Sequence, residues 1–182
     1  MTRPCDLDAV DARKLIGNKK LSPLELTKSC IEQIEKLNPS INAVVAIDKA
    51  DVLKQAKKAE DDVMSGSGLG LLHGLPVGIK DLNIVKNLCS TSGSKIYENR
   101  IPESDDTIVE DIRSEGAIIF CKTNTPEFGA GGNTKNFVYG ATSNPFDITK
   151  TPAGSSGGSA AALACNICLL YTSDAADDLT RV

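Results

Sequence analysis

Gly74-Leu75-Pro76-Val77-Gly78-Ile79-Lys80-Asp81 runs from a short apolar segment straight into two charges, and the architecture is read outward from it. Residues 75–79 have the length and apolar character of a buried strand. Downstream, residues 106–114 read as a helix ending at Gly116, and residues 117–121 as a second buried strand with Lys122-Thr123-Asn124 at its end. A long stretch rich in Gly, Asn and Thr fills residues 129–152. Then Gly154-Ser155-Ser156-Gly157-Gly158-Ser159 leads into an apolar run over residues 160–164, which is read as a helix. Strand, helix, strand, long loop, helix is the order of an α/β domain.

Upstream of that core the pattern is helical. Residues 8–16 read as a short amphipathic helix. Ser22-Pro23-Leu24-Glu25 is a capping box with proline at the first helical position. Leu26, Cys30, Ile34 and Leu37 then recur at helical spacing, with a stop expected at Asn38-Pro39. Residues 42–47 are β-branched and extended, residues 48–64 form a third helix, and residues 65–70 a Ser/Gly linker. The expected division is a helical segment over 1–64 and the α/β core over 65–167.

A chain of 182 residues has room for one domain with a core of its own. Hydrophobic residues at 41% and charged ones at 24% match a globular protein, and the formal charge of −4 argues against a nucleic-acid or anionic-membrane partner. No apolar run approaches the roughly 20 residues that span a bilayer. The first residues carry acids and no apolar core, unlike a signal peptide. Four of the six cysteines are scattered, which fits reduced thiols and a cytoplasmic setting. Cys165 and Cys168 form a single CxxC, with no second pair or histidines to complete a zinc site. Neither metal nor cofactor is expected.

The Ser/Gly stretch is the most unusual feature. Small residues ahead of a helix leave backbone N–H groups aimed at one place, which can hold a phosphate, a carboxylate or a developing oxyanion. The loop lacks the lysine of a nucleotide-binding P-loop. On the residues alone, an ordinary surface loop and an anion-holding nest both stay open. A serine nucleophile needs a base. His73 is the lone histidine and sits in a turn before a strand, where a surface or hydrogen-bonded role suits it. Lys80 competes with it: a free lysine titrates near 10.4, but burial can lower that by about 3–5 units.

Residues 74–81 resemble the lysine motif of the amidase signature family, and Gly154-Ser155-Ser156-Gly157-Gly158-Ser159-Ala160-Ala161-Ala162 resembles its Ser/Gly-rich signature. Between them, Lys122-Thr123-Asn124-Thr125-Pro126-Glu127-Phe128 and Tyr139-Gly140-Ala141-Thr142-Ser143-Asn144-Pro145-Phe146-Asp147 are also similar to family segments, in the same order. The resemblance implies the amidase-signature α/β fold: a mixed sheet with helices on both faces, preceded by the helical segment. It implies a Ser–cis-Ser–Lys triad that hydrolyses carboxamide C–N bonds through an acyl-enzyme. Lys80 would be the base and Ser155 the serine after the cis bond, relaying the proton, while Ser156 and Ser159 support the turn. The implied substrate is a small-molecule amide. The implied setting is a stand-alone amidase, with a homodimer allowed. The alternatives are the A subunit of a tRNA-dependent amidotransferase, working with tRNA and a partner subunit, and a non-catalytic amidase-like binding protein.

The sequence then departs from the pattern. The family's nucleophile lies in a Gly-Gly-Ser about two dozen residues after the cis-serine, near position 179, where this chain has Leu179 and no glycine nearby. Ser173 is the sole serine past Ser159. Cys168-Leu169-Leu170-Tyr171-Thr172-Ser173-Asp174-Ala175-Ala176-Asp177 resembles one reading frame of a sequencing-library transposase adapter. Residues 168–182 are therefore expected to be a non-native tail that packs least well. The fragment is expected to be inactive, and the strands at 75–79 and 117–121 to lack the cover that later elements supply.

Overall fold

The computed structural model describes residues 3–173. Three helices open the chain. In α1 (Ala9–Gly17) the Asp8 carboxylate accepts the Asp11 N–H, and in α2 (Pro23–Ile41) Ser22 Oγ accepts from both Leu24 and Glu25. Each satisfies donors that a helix start would otherwise leave unpaired. Leu26, Cys30 and Ile34 form the buried stripe of α2, with Ile31 beside them. The stop expected at Asn38-Pro39 is corrected: α2 continues to Ile41. Proline there removes one N–H from the last turn, and the Asn38 side chain carries the chain reversal instead. Its Oδ1 accepts from Ala43 and Val44 at 2.9 and 2.8 Å, and its Nδ2 donates to the Val44 carbonyl at 2.8 Å. After β1 (Val44–Ala46), Asp48 caps α3 (Lys49–Ser65) through Ala50 and Asp51.

The α/β core follows as β2 (Pro76–Lys80), α4 (Thr107–Ser114), β3 (Ile118–Thr123), a two-stranded hairpin of β4 (Lys135–Asn136) and β5 (Gly140–Ala141), α5 (Gly157–Ala164) and β6 (Leu170–Tyr171). The main sheet has the order β1-β3-β2-β6. β2 runs parallel to β3 and β6, and β1 runs antiparallel to β3. This is a mixed sheet with helices on both faces. One face packs against α1, α2, α3 and α5 through Leu75, Ile118, Phe120 and Cys121. The other carries Val77, Ile79, Ile119, Val85 and Val109, with Ile112 of α4. The hairpin interrupts a stretch read above as pure loop.

A register shift between Val77 and Gly78 decides which side chains share a face at the sheet's end. Val77 sits beside Ile119, but Gly78 sits beside Cys121, so β3 has an extra residue there. The extra residue re-aims the strand beyond it. Past it, Ile79 pairs with Lys122 and Lys80 with Thr123, which sends the two lysines to opposite faces.

Two expectations fail here. Every residue of β2 and β3 is buried, so those strands do not stand uncovered. The exposed large apolar side chains lie elsewhere, with Phe137 at 82% and Phe146 at 86%. Nor do residues 168–173 pack least well. Cys168, Leu169 and Thr172 are buried, and Val77 and Gly78 pair with Leu170 and Tyr171. An apolar, β-prone run suits a strand buried in a parallel sheet whatever its origin. Residues 174–182, including position 179, where the family pattern places its nucleophile and this chain has Leu179, lie outside the described residues.

Candidate active site

Lys80 is the last residue of β2 and is fully buried. Its Nζ donates to Ser155 Oγ at 2.7 Å, so the structure brings the two candidate residues together across 75 positions of chain. The Gly154–Ser155 peptide bond is cis. The backbone under Lys80 is tied as well, because its N–H donates to Thr172 Oγ1 at 2.9 Å. Placing a lysine and a serine turn beyond the carboxyl ends of parallel strands is the usual way an open α/β sheet builds a site.

The turn is held from three sides. Thr125 Oγ1 donates to the Ser155 carbonyl at 3.4 Å, and the Gly157 N–H donates to Thr134 Oγ1 at 3.0 Å. Ser159 lies against β3, its hydroxyl 2.6 Å from Thr123 Oγ1, and Ser156 Oγ is 2.8 Å from Ser173 Oγ. Gly158 has a different reason to be glycine: a Cβ there would lie 2.4 Å from both the N and O of Asn124. The first turn of α5 therefore rests directly on the backbone that follows β3.

His73 is elsewhere. It is buried under α3, and its Nε2 donates to the Ala59 carbonyl at 3.0 Å. That is the hydrogen-bonded role its turn position suggested.

The opposite face of the same strand ends holds a feature missed from the sequence. Lys122 and Asp81 form an ion pair at 3.2 Å, with side chains 0% and 1% exposed. Burial pushes the Lys122 amine below the usual lysine range, and the Asp81 charge opposes that shift. The legible signal was two Lys-containing strand ends, Lys80-Asp81 and Lys122-Thr123, on neighbouring parallel strands.

A buried lysine on a cis-serine turn, at the end of a mixed α/β sheet, defines a class of lysine–serine sites. Comparison with known proteins names the family. The family model for Amidase matches residues 25–174, and the chain belongs to that family. The A subunit of the glutamyl-tRNA(Gln) amidotransferase of Acaryochloris marina (strain MBIC 11017) is 40% identical over 152 residues, covering 84% of this chain and 32% of the relative. Its counterpart from Clostridium botulinum (strain Alaska E43 / Type E3) is 40% identical over 156 residues, covering 86% and 32%. Among solved structures, an amidase superposes with a TM-score of 0.83 at 32% identity, covering 90% of this chain and 37% of its own. A bacterial aryl acylamidase of the amidase signature family gives 0.83 at 32% identity, covering 89% and 34%. The chain thus spans about a third of the length of the curated relatives it matches.

Proposed function

We propose that this chain is part of an enzyme that cleaves carboxamide C–N bonds, with Lys80 as base and Ser155 as proton relay to a serine nucleophile. The observation that carries the reading is the 2.7 Å hydrogen bond from a fully buried strand-end lysine to a serine after a cis bond. In the reaction the nucleophile's proton passes through Ser155 to Lys80 as its oxygen attacks the amide carbonyl. The tetrahedral adduct collapses, the C–N bond breaks, and the proton returns to the leaving amine. Water then attacks the acyl-enzyme with the same pair accepting its proton, which releases the acid and restores the nucleophile.

For the setting we favour a stand-alone amidase acting on small amides in the cytoplasm, alone or as a homodimer. The 40% identity to two amidotransferase A subunits favours a second reading, in which the chain works with tRNA and a partner subunit. One assay on the full-length protein separates the two. Release of ammonia or amine from small amides, with no partner, tRNA or ATP, is expected. Strict dependence on all three would establish the second reading, and no turnover under either condition would remove both.

A further inference from the structure

Lys122 takes no part in the chemistry above, yet it is as deeply buried as Lys80. All three directions of its ammonium are used. It pairs with Asp81 Oδ1 at 3.2 Å, donates to Ser90 Oγ at 3.2 Å, and donates to the Asn83 carbonyl. Its partners are the first, third and tenth residues of the loop that leaves β2 immediately after Lys80. Asp81 extends the tether. Its carboxylate accepts the Thr91 N–H at 3.2 Å and Thr91 Oγ1 at 2.6 Å, while its own N–H donates to the Thr123 carbonyl at 3.0 Å. The Asn83 N–H returns to the Lys80 carbonyl at 3.0 Å.

Strand alternation turns this back-face tether into a constraint on the front face. Lys80 and Asp81 are consecutive, so fixing the Asp81 side chain behind the sheet fixes the peptide plane between them. It thereby fixes the direction in which Lys80 leaves the strand. A side chain with four rotatable bonds reaches one hydroxyl reproducibly only when its Cα–Cβ vector is held. The bulge in β3 makes this work, because it places Lys122 rather than Cys121 level with Ile79 on the back face.

We propose that Lys122, acting through Asp81, is a positioning residue that holds Lys80 on Ser155; this rests on the reading of Lys80 as the base. It makes the second lysine part of how the site is built, without contact with the reacting atoms.

The test uses the full-length enzyme and the double variant Lys122→Met/Asp81→Asn. Removing both charges avoids stranding one of them in the interior, but it also removes the tethers to Asn83 and Ser90. The folded double variant is expected to lose on the order of 10–100-fold in kcat with KM within about twofold, the signature of a misplaced catalytic group. Hydrogen exchange in peptides covering residues 81–91 is expected to accelerate on the order of tenfold. Parental kcat, or parental exchange across 81–91, would overturn the proposal. If the double variant does not fold, Asp81→Asn alone keeps the shape and the two remaining Lys122 bonds. It should show the same kcat-specific loss at smaller size, and parental kcat there overturns the idea equally. Lys80→Ala is the control. If it keeps its turnover, or the parent has none, the reading of the base has failed, and the exchange measurement still decides whether Lys122 holds the strand end.

Discussion

A lysine serves as a base only while it carries no proton, so an exposed side chain titrating near 10.4 is almost useless at pH 7. Lys80 is 0% exposed at the end of an apolar strand and donates to the Ser155 hydroxyl, whereas the equally buried Lys122 is paired with the Asp81 carboxylate. In the full-length enzyme Lys80→Ala should lower turnover at least about 100-fold, the lower range for losing a general base. Circular dichroism should show the protein still folded. Retention of more than a few per cent of turnover contradicts the assignment. Ser155→Ala should be severe but less complete, because water can take the place of a hydroxyl that only passes a proton. His73→Ala should leave turnover per folded molecule nearly unchanged, since His73 bonds the Ala59 carbonyl under α3. Its cost belongs to stability, about 1–3 kcal/mol for leaving that buried acceptor unpaired.

The elements that deliver these residues have their own vulnerability, and it is greatest where α5 meets β3. Gly158→Ala would ordinarily gain about 1 kcal/mol of helix propensity. Here the added methyl meets Asn124 backbone at 2.4 Å, which no rotamer can relieve, so α5 must lift away. A net loss of about 1–3 kcal/mol is expected from overpacking, together with reduced turnover as the Ser155 turn rides on that helix. A denaturant midpoint equal to the parent's would show that the contact yields. Much of this scaffold was legible. The capping box at Ser22 marks the start of α2, the helices read over 8–16 and 48–64 are α1 and α3, and the apolar runs became β2 and β3 within a residue or two. What was not legible had a physical reason. Two-residue strands such as β4 and β5 have no periodicity to read. The partnership of Lys122 with Asp81 depends on a bulge that no propensity announces. The extension of α2 through Pro39 depends on three hydrogen bonds from one side chain, Asn38.

We propose that the sequence from Cys168 onward is foreign, on the adapter resemblance, although residues 168–173 fill a strand position in the sheet. The gene in its source DNA is expected to read differently past the codon for Ile167 and to supply a Gly-Gly-Ser near position 179. Independent reads that continue as Cys168 to Asp177 would end that proposal. The docking of β6 on β2 can be read by thiol chemistry. Burial drives the Cys168 thiol up to about 12 and its side chain is 1% exposed, against the Sγ-to-Gly78 contact of β2. Such a thiol is scarcely ionised at pH 8, and reagent can reach it only when the sheet edge opens. Cys89 is partly exposed, near Glu98 and Tyr139. Iodoacetamide on the native 1–182 chain should therefore modify Cys89 long before Cys168, with Cys30 and Cys121 protected alongside it. In denaturant the difference should vanish. Mass spectrometry of timed digests reads the order directly. Equal native rates at Cys89 and Cys168 would mean that residues 168–173 hang off the sheet, leaving Thr172 unable to hold the Lys80 backbone.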